Sequence, residues 1–156
     1  MDQVQYLDSV ACTQEGDNFP RHQTTIINRM EELRRATQWL YQAARQLGLR
    51  TSEVEKLDFC LNELLTNIMV HGYADLEEHA INISLSSIEK RTLLTIEDDG
   101  KIFNPVTYEG FQMPGSLEEA TASGYGIALV RSFVDELSYE RIGNKNLLTI
   151  SLNHAD

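Results

Sequence analysis

Residues Glu63 to Tyr73 read ELLTNIMVHGY, and three polar residues at four-residue intervals within them, Glu63, Asn67 and His71, decide how the chain is read. The residues between are mostly apolar, so the segment is predicted to be helical. At roughly 3.6 residues per turn the spacing places a carboxylate, an amide and an imidazole on one stripe. Glu63 and Asn67 then stand about 6 Å apart along the helix axis. That separation suits one group to hold a metal-bound phosphate while its neighbour handles a proton or a water. A solvated helix face has the same pattern, so the flanking sequence must decide.

Upstream, Ser52 and Glu55 have the spacing of a capping box, and Val54, Leu57, Leu61, Leu64, Leu65 and Ile68 carry an apolar face from there to Gly72. An earlier helix is expected from about Arg29, with Asn28 as N-cap and Glu31 as its partner. Leu33, Ala36, Leu40, Ala44 and Leu47 form its apolar stripe, and Gly48 stands where a left-handed C-cap is expected. Thr24 to Ile27 is β-branched throughout and predicts a short strand. Residues 1–20 lack sustained periodicity and read as a flexible lead-in, which leaves 21–156 as a single domain.

Downstream, Ile81, Ile83 and Leu85 alternate with Asn82, Ser84 and Ser86, and a turn near Glu89 and Lys90 leads into Arg91 to Glu97, a β-hairpin pattern. Leu94, Ile96 and Asp98 share parity, so Asp98 points toward the core at the strand's end, where a carboxylate needs a donor. Residues 101–123 form a long loop or lid. Gly124, Tyr125 and Gly126 then open a third helix through Ile127, Val130, Phe133, Val134 and Leu137. Strands from Leu137 to Ile142 and Leu147 to Leu152 close the chain around Gly143, Asn144 and Lys145. A glycine pair before a helix suits a phosphate, because backbone N–H groups and the positive end of the dipole face it; it is also what a plain turn looks like.

Composition narrows the function. A formal net charge of −11 over 156 residues argues against nucleic acid or an anionic membrane as partner and favours a neutral or basic protein surface. The first twenty residues do not resemble a signal peptide, and no run approaches about 18 apolar residues, so a cytoplasmic location is expected. Cys12 and Cys60 lack the paired spacing of zinc or redox motifs and are expected as free thiols, with Cys60 in the core.

The order and spacing of these clusters resemble a known family. ELLTNIMVHGY resembles the N-box, DDGKIFNP the first glycine box and GYGIALVRSFVDEL the second glycine box of the Bergerat-fold (GHKL-type) ATPases, with the greatest similarity to bacterial anti-sigma-factor serine kinases. The resemblance runs from about Thr24 to Leu152. It implies an α+β two-layer sandwich, with a mixed, largely antiparallel sheet and three main helices on one face. It also implies ATP and Mg²⁺ as cofactors. Asn67 would coordinate the Mg²⁺, and Asp98 would accept a hydrogen bond from the adenine amino group. Gly100 would let the ring approach, and Gly124, Tyr125 and Gly126 would wrap the phosphates. Glu63 would be the general base. His71 would either line the phosphate pocket or cap its helix.

The implied function is an anti-sigma factor that binds a sigma factor and phosphorylates a small STAS-type anti-anti-sigma protein. Homodimers are typical of the similar proteins. Three departures from the family pattern stand out. Position 102 is Ile, position 104 is Asn, and no Lys or Arg occurs between Ile102 and Val130, although a transferring γ-phosphoryl is usually met by a cation. Lys101 and Arg131 flank that segment. The alternative reading is therefore an ATP-responsive binding module without phosphoryl transfer. A detached histidine-kinase catalytic domain ranks last, because no histidine lies in a suitable preceding helix.

Overall fold

In the computed structural model, which describes residues 19–107 and 125–154, strand β1 (Arg21–Ile27) leads through a short 3-10 turn (Met30–Glu32) into α1 (Leu33–Gln46). Helix α2 (Thr51–His71), the hairpin of β2 (Ala80–Ile88) and β3 (Arg91–Asp98), α3 (Tyr125–Phe133), and the hairpin of β4 (Glu136–Ile142) and β5 (Lys145–Asn153) follow. The strands form one sheet in the order β1-β2-β3-β5-β4. Every pairing in it is antiparallel, where a partly mixed sheet was expected.

Strand alternation explains the two layers. Ile83 of β2, Ile96 of β3 and Leu148 of β5 are register partners, as are Leu85, Leu94 and Ile150. These rows are buried with Ala36, Leu40 and Ala44 of α1 and Leu57, Leu61, Leu64 and Leu65 of α2 in one core. Each fully buried Leu or Ile contributes roughly 1.5–3 kcal/mol relative to exposure. The opposite parity is mostly polar. Thr25 donates to Asn82, Asn82 to Glu97, and Lys145 to Glu97 across four strands of the open face.

Helix ends differ in places from the sequence expectation. Asn28 does not cap α1: its Oδ1 accepts from the His79 N–H at 2.8 Å, so it ties β1 to the segment before β2. With that acceptor taken, the chain makes the 3-10 turn first and α1 begins at Leu33. Gly48 ends α1 as expected, at φ +70°. Leu49 N–H donates to Ala44 O at 3.0 Å and Gly48 N–H to Arg45 O at 3.1 Å, the paired bonds of a Schellman cap. Only four residues, Leu47 to Arg50, then separate the helices. The α2 cap accordingly falls at Arg50, whose N–H donates to Glu53 Oε2 at 2.9 Å, and Ser52 and Glu55 lie inside the helix. Helix α3 stops at Phe133, and Leu137 belongs to β4. Asp135 makes the break, its N–H donating to Ser151 O at 3.0 Å. Phe133 closes the helix against α2 by an edge-to-face contact with Phe59, centroids 5.2 Å apart.

The final turn has Gly143 at φ +60° between partners Ile142 and Lys145, the geometry a two-residue type II′ turn requires. Cys60 is buried as a free thiol, and burial raises its pKa to about 12. Among the described residues no helix is long and apolar enough to cross a membrane. Cys12, most of the lead-in, Gly124 and the lid from residue 108 onward lie outside the described residues.

Candidate functional site

The last turns of α2, the end of β3, α3 and the start of β5 surround a cavity of about 360 Å³. Asn67 and His71 line it from α2, Asp98 and Lys101 from the end of β3 and beyond, and Asn146 from β5. The wall between them is apolar, built from Ile68, Phe103, Ile127 and Leu148. Apolar walls with a few convergent polar groups suit a planar ring bearing polar edges.

Asp98 is 4% exposed at the inward end of β3, as strand parity requires. Its Oδ1 accepts from Gly100 N–H at 2.9 Å and from Asn146 Nδ2 at 3.0 Å. Both bonds end on Oδ1, so among the described residues Oδ2 keeps its capacity as an acceptor. Burial raises the Asp98 pKa, and the Asn146 and Gly100 bonds oppose that rise. Asn146 was not singled out from the sequence. Its signal was an amide at the same parity as Leu148, Ile150 and Leu152, an inward position in the last strand.

Gly100 is required by packing. A Cβ there would meet Gly72 O at 2.8 Å and Asp98 Oδ1 at 2.9 Å. The close approach lets Lys101 N–H donate to Gly72 O at 2.8 Å, which joins the end of α2 to the end of β3 beneath the cavity.

On α2 the opening stripe divides. Asn67 Nδ2 donates to Glu63 O one turn earlier at 2.9 Å, which fixes the amide and leaves Oδ1 as an oxygen ligand suited to a hard cation such as Mg²⁺. His71 is the last residue of α2, Gly72 rather than His71 is the C-cap, and the His71 side chain lines the cavity. Glu63 sits one turn deeper, against α3. A Cβ at Gly126 would lie 2.0 Å from Glu63 Oε2, so this glycine is where α3 admits the carboxylate. Partial burial raises the Glu63 pKa. Its placement beside the first turn of α3 opposes the carboxylate to the positive end of that helix.

Tyr125 opens α3, and of the lid the described part reaches residue 107. There Asn104 Oδ1 accepts from Val106 N–H at 2.9 Å, and Arg131 Nη1 donates to Val106 O at 3.2 Å, so the base of the lid is tied to α3. Lys101 lines the cavity itself. Behind Asp98, the ring of His79 stacks on Tyr73 at 4.2 Å and lies 2.8 Å from Asp75 and 3.2 Å from Asp99. Hydrogen bonding to Asp75 raises the His79 pKa, and Asp99 adds to the rise.

A family model described as the histidine kinase-like ATPase domain matches residues 26–152. The serine/threonine-protein kinase BtrW of Bordetella bronchiseptica is 31% identical over 99 residues, covering 64% of this chain and 70% of that protein. An anti-sigma F factor of Bacillus thuringiensis is 30% identical over 117 residues, 71% of this chain and 78% of that protein. Among solved structures, the RsbU and RsbW domains of Rv1364c from Mycobacterium tuberculosis superpose with a TM-score of 0.60 at 14% identity, a likeness of fold. That match covers 86% of this chain and 32% of the longer one.

Proposed function

The chain belongs to the histidine kinase-like ATPase domain family, and from that premise we propose that it is an ATP- and Mg²⁺-dependent serine/threonine kinase acting as an anti-sigma factor. Its substrate in this reading is a serine of a small STAS-type anti-anti-sigma protein. Relatives named as a serine/threonine-protein kinase and as anti-sigma F factors support the assignment. The observation that carries it is the buried Asp98 at one end of an apolar cavity, with Oδ1 held by Gly100 and Asn146 and, among the described residues, Oδ2 left to accept.

Each side chain then has a task. Asp98 Oδ2 accepts from the adenine amino group, while Ile68, Phe103, Ile127 and Leu148 enclose the ring. Asn67 Oδ1 would hold Mg²⁺, which when bound would offset the negative charge of the phosphates. The start of α3, at Tyr125 and Gly126, would offer backbone N–H groups to the phosphates. Glu63 takes the proton from the attacking serine hydroxyl as its oxygen bonds to the γ-phosphorus and ADP leaves. A carboxylate with a pKa raised by burial is a better base near neutral pH than a solvated one. Its activity falls as pH drops through that raised pKa.

The test is transfer from γ-labelled ATP to a co-encoded STAS-type acceptor. Wild type should label the acceptor, and Glu63→Gln should lower the rate by about a hundredfold or more. Transfer by Glu63→Gln at the wild-type rate contradicts the assigned base. The second reading, an ATP-responsive binding module, is favoured by the absence of Lys and Arg between Ile102 and Val130. Tight ATP binding with no transfer to the acceptor supports it over the first.

A further inference from the structure

The buried amide of Asn146 is a node that the catalytic roles above leave unused. It is 4% exposed, it is the register partner of Asp98 across β3 and β5, and both ends of its side chain are engaged. Tyr139 donates its hydroxyl to Asn146 Oδ1 at 2.6 Å, and Arg141 Nη1 donates to the same oxygen at 3.0 Å. A guanidinium can only donate, so the atom facing Arg141 is the oxygen and the amide cannot be turned over. Nδ2 therefore faces acceptors: Asp98 Oδ1 at 3.0 Å, Lys101 O at 2.9 Å and Gly100 O at 3.3 Å. Arg141 makes a second tie, donating to Gly100 O at 2.9 Å. Strand β4, on the far edge of the sheet, thus reaches through Asn146 to the carboxylate.

We propose that Asn146, oriented by Tyr139 and Arg141, is a positioning residue for nucleotide recognition, holding Asp98 Oδ1 so that Oδ2 is presented to the base as a fixed, ionised acceptor. The inference rests on the adenine role assigned to Asp98. Two donors on one oxygen leave the carboxylate little freedom to rotate, and both stabilise its charged form. Burial favours the neutral acid, which offers the adenine amino group a weaker acceptor. The Asn146 and Gly100 bonds act against burial. The other titratable and charged groups around Asp98 are Asp99 beside it, Tyr73 at the end of α2, His71 and Lys101 on the cavity wall, and Arg141 from β4. None of these reaches Oδ1 with a hydrogen bond among the described residues.

The experiment measures Mg²⁺-ATP affinity from mildly acid to mildly alkaline pH for wild type, Asn146→Ala, Asn146→Ser and Tyr139→Phe, with circular dichroism to establish folding. Wild-type affinity should fall at acid pH as Asp98 protonates. Asn146→Ala should bind about tenfold more weakly at neutral pH, the loss expected for one hydrogen bond to a charged group. Its acid limb should move to higher pH. Asn146→Ser, which keeps a donor, should restore part of both effects. Tyr139→Phe should shift the limb in the same direction by less, and it carries the test if Asn146→Ala does not fold. An acid limb that stays in place in a folded Asn146→Ala, or in Tyr139→Phe where Asn146→Ala is unfolded, overturns the positioning role. Failure of wild type to bind ATP at all overturns the nucleotide reading instead, so the two failures are distinguishable.

Discussion

Glu63 and Gly126 constrain one another, and the pair separates catalysis from stability. The carboxylate oxygen lies 2.0 Å from the position of a Cβ at Gly126, but the clashing atom is the end of a rotatable side chain. A Gly126→Ala variant can therefore relieve the overlap by turning Glu63 away. Thermal or denaturant unfolding should register a change of about 1 kcal/mol or less. Phosphoryl transfer should fall by tenfold or more as the base leaves its place. A variant that retains wild-type transfer would show that Glu63 need not stand where it does. Asn67 is simpler: its amide is anchored to the helix backbone, so the position of the oxygen proposed to hold Mg²⁺ is set by α2 alone.

The elements were unequally legible. Helix α1 could be read to its last residue because Gly48 marks a conformation that other residues adopt at a cost. Replacing it by Ala at φ +70° should lower stability by about 1 kcal/mol in denaturant titration. No change would mean the cap relaxes without loss. Both hairpins and the inward aim of Asp98 followed from the two-residue period. Three features did not follow. Asn28 and Asp135 act through partners that only the folded chain supplies, the His79 backbone and β5, and Glu53 caps a helix whose start is moved toward Gly48 by the end of α1. Local patterns offered Asn28, Ser52 and a continuous helix to Leu137 as reasonable alternatives. Asn146 was legible in principle as an inward amide. Its tie to Arg141 was not, because the contact joins neighbouring strands by side chains of unlike length.

At the scale of the molecule, the sheet brings residues far apart in sequence to one wall. Asn67 and Asp98 come from α2 and β3, and Asn146 arrives from the last strand. The carboxylate is buried where only a donor-bearing ligand or the protein itself can satisfy it. A chain with a net charge of −11 has no general attraction for a nucleotide, so affinity must come from specific groups in the cavity. In the proposed reading, Asp98 is the group on which that specificity depends most. Calorimetric titration of Mg²⁺-ATP into wild type and Asp98→Asn is therefore the most direct test. Saturable binding by wild type, weakened tenfold or more in a folded Asp98→Asn, is the expected result. Equal affinity in the two proteins would contradict the account.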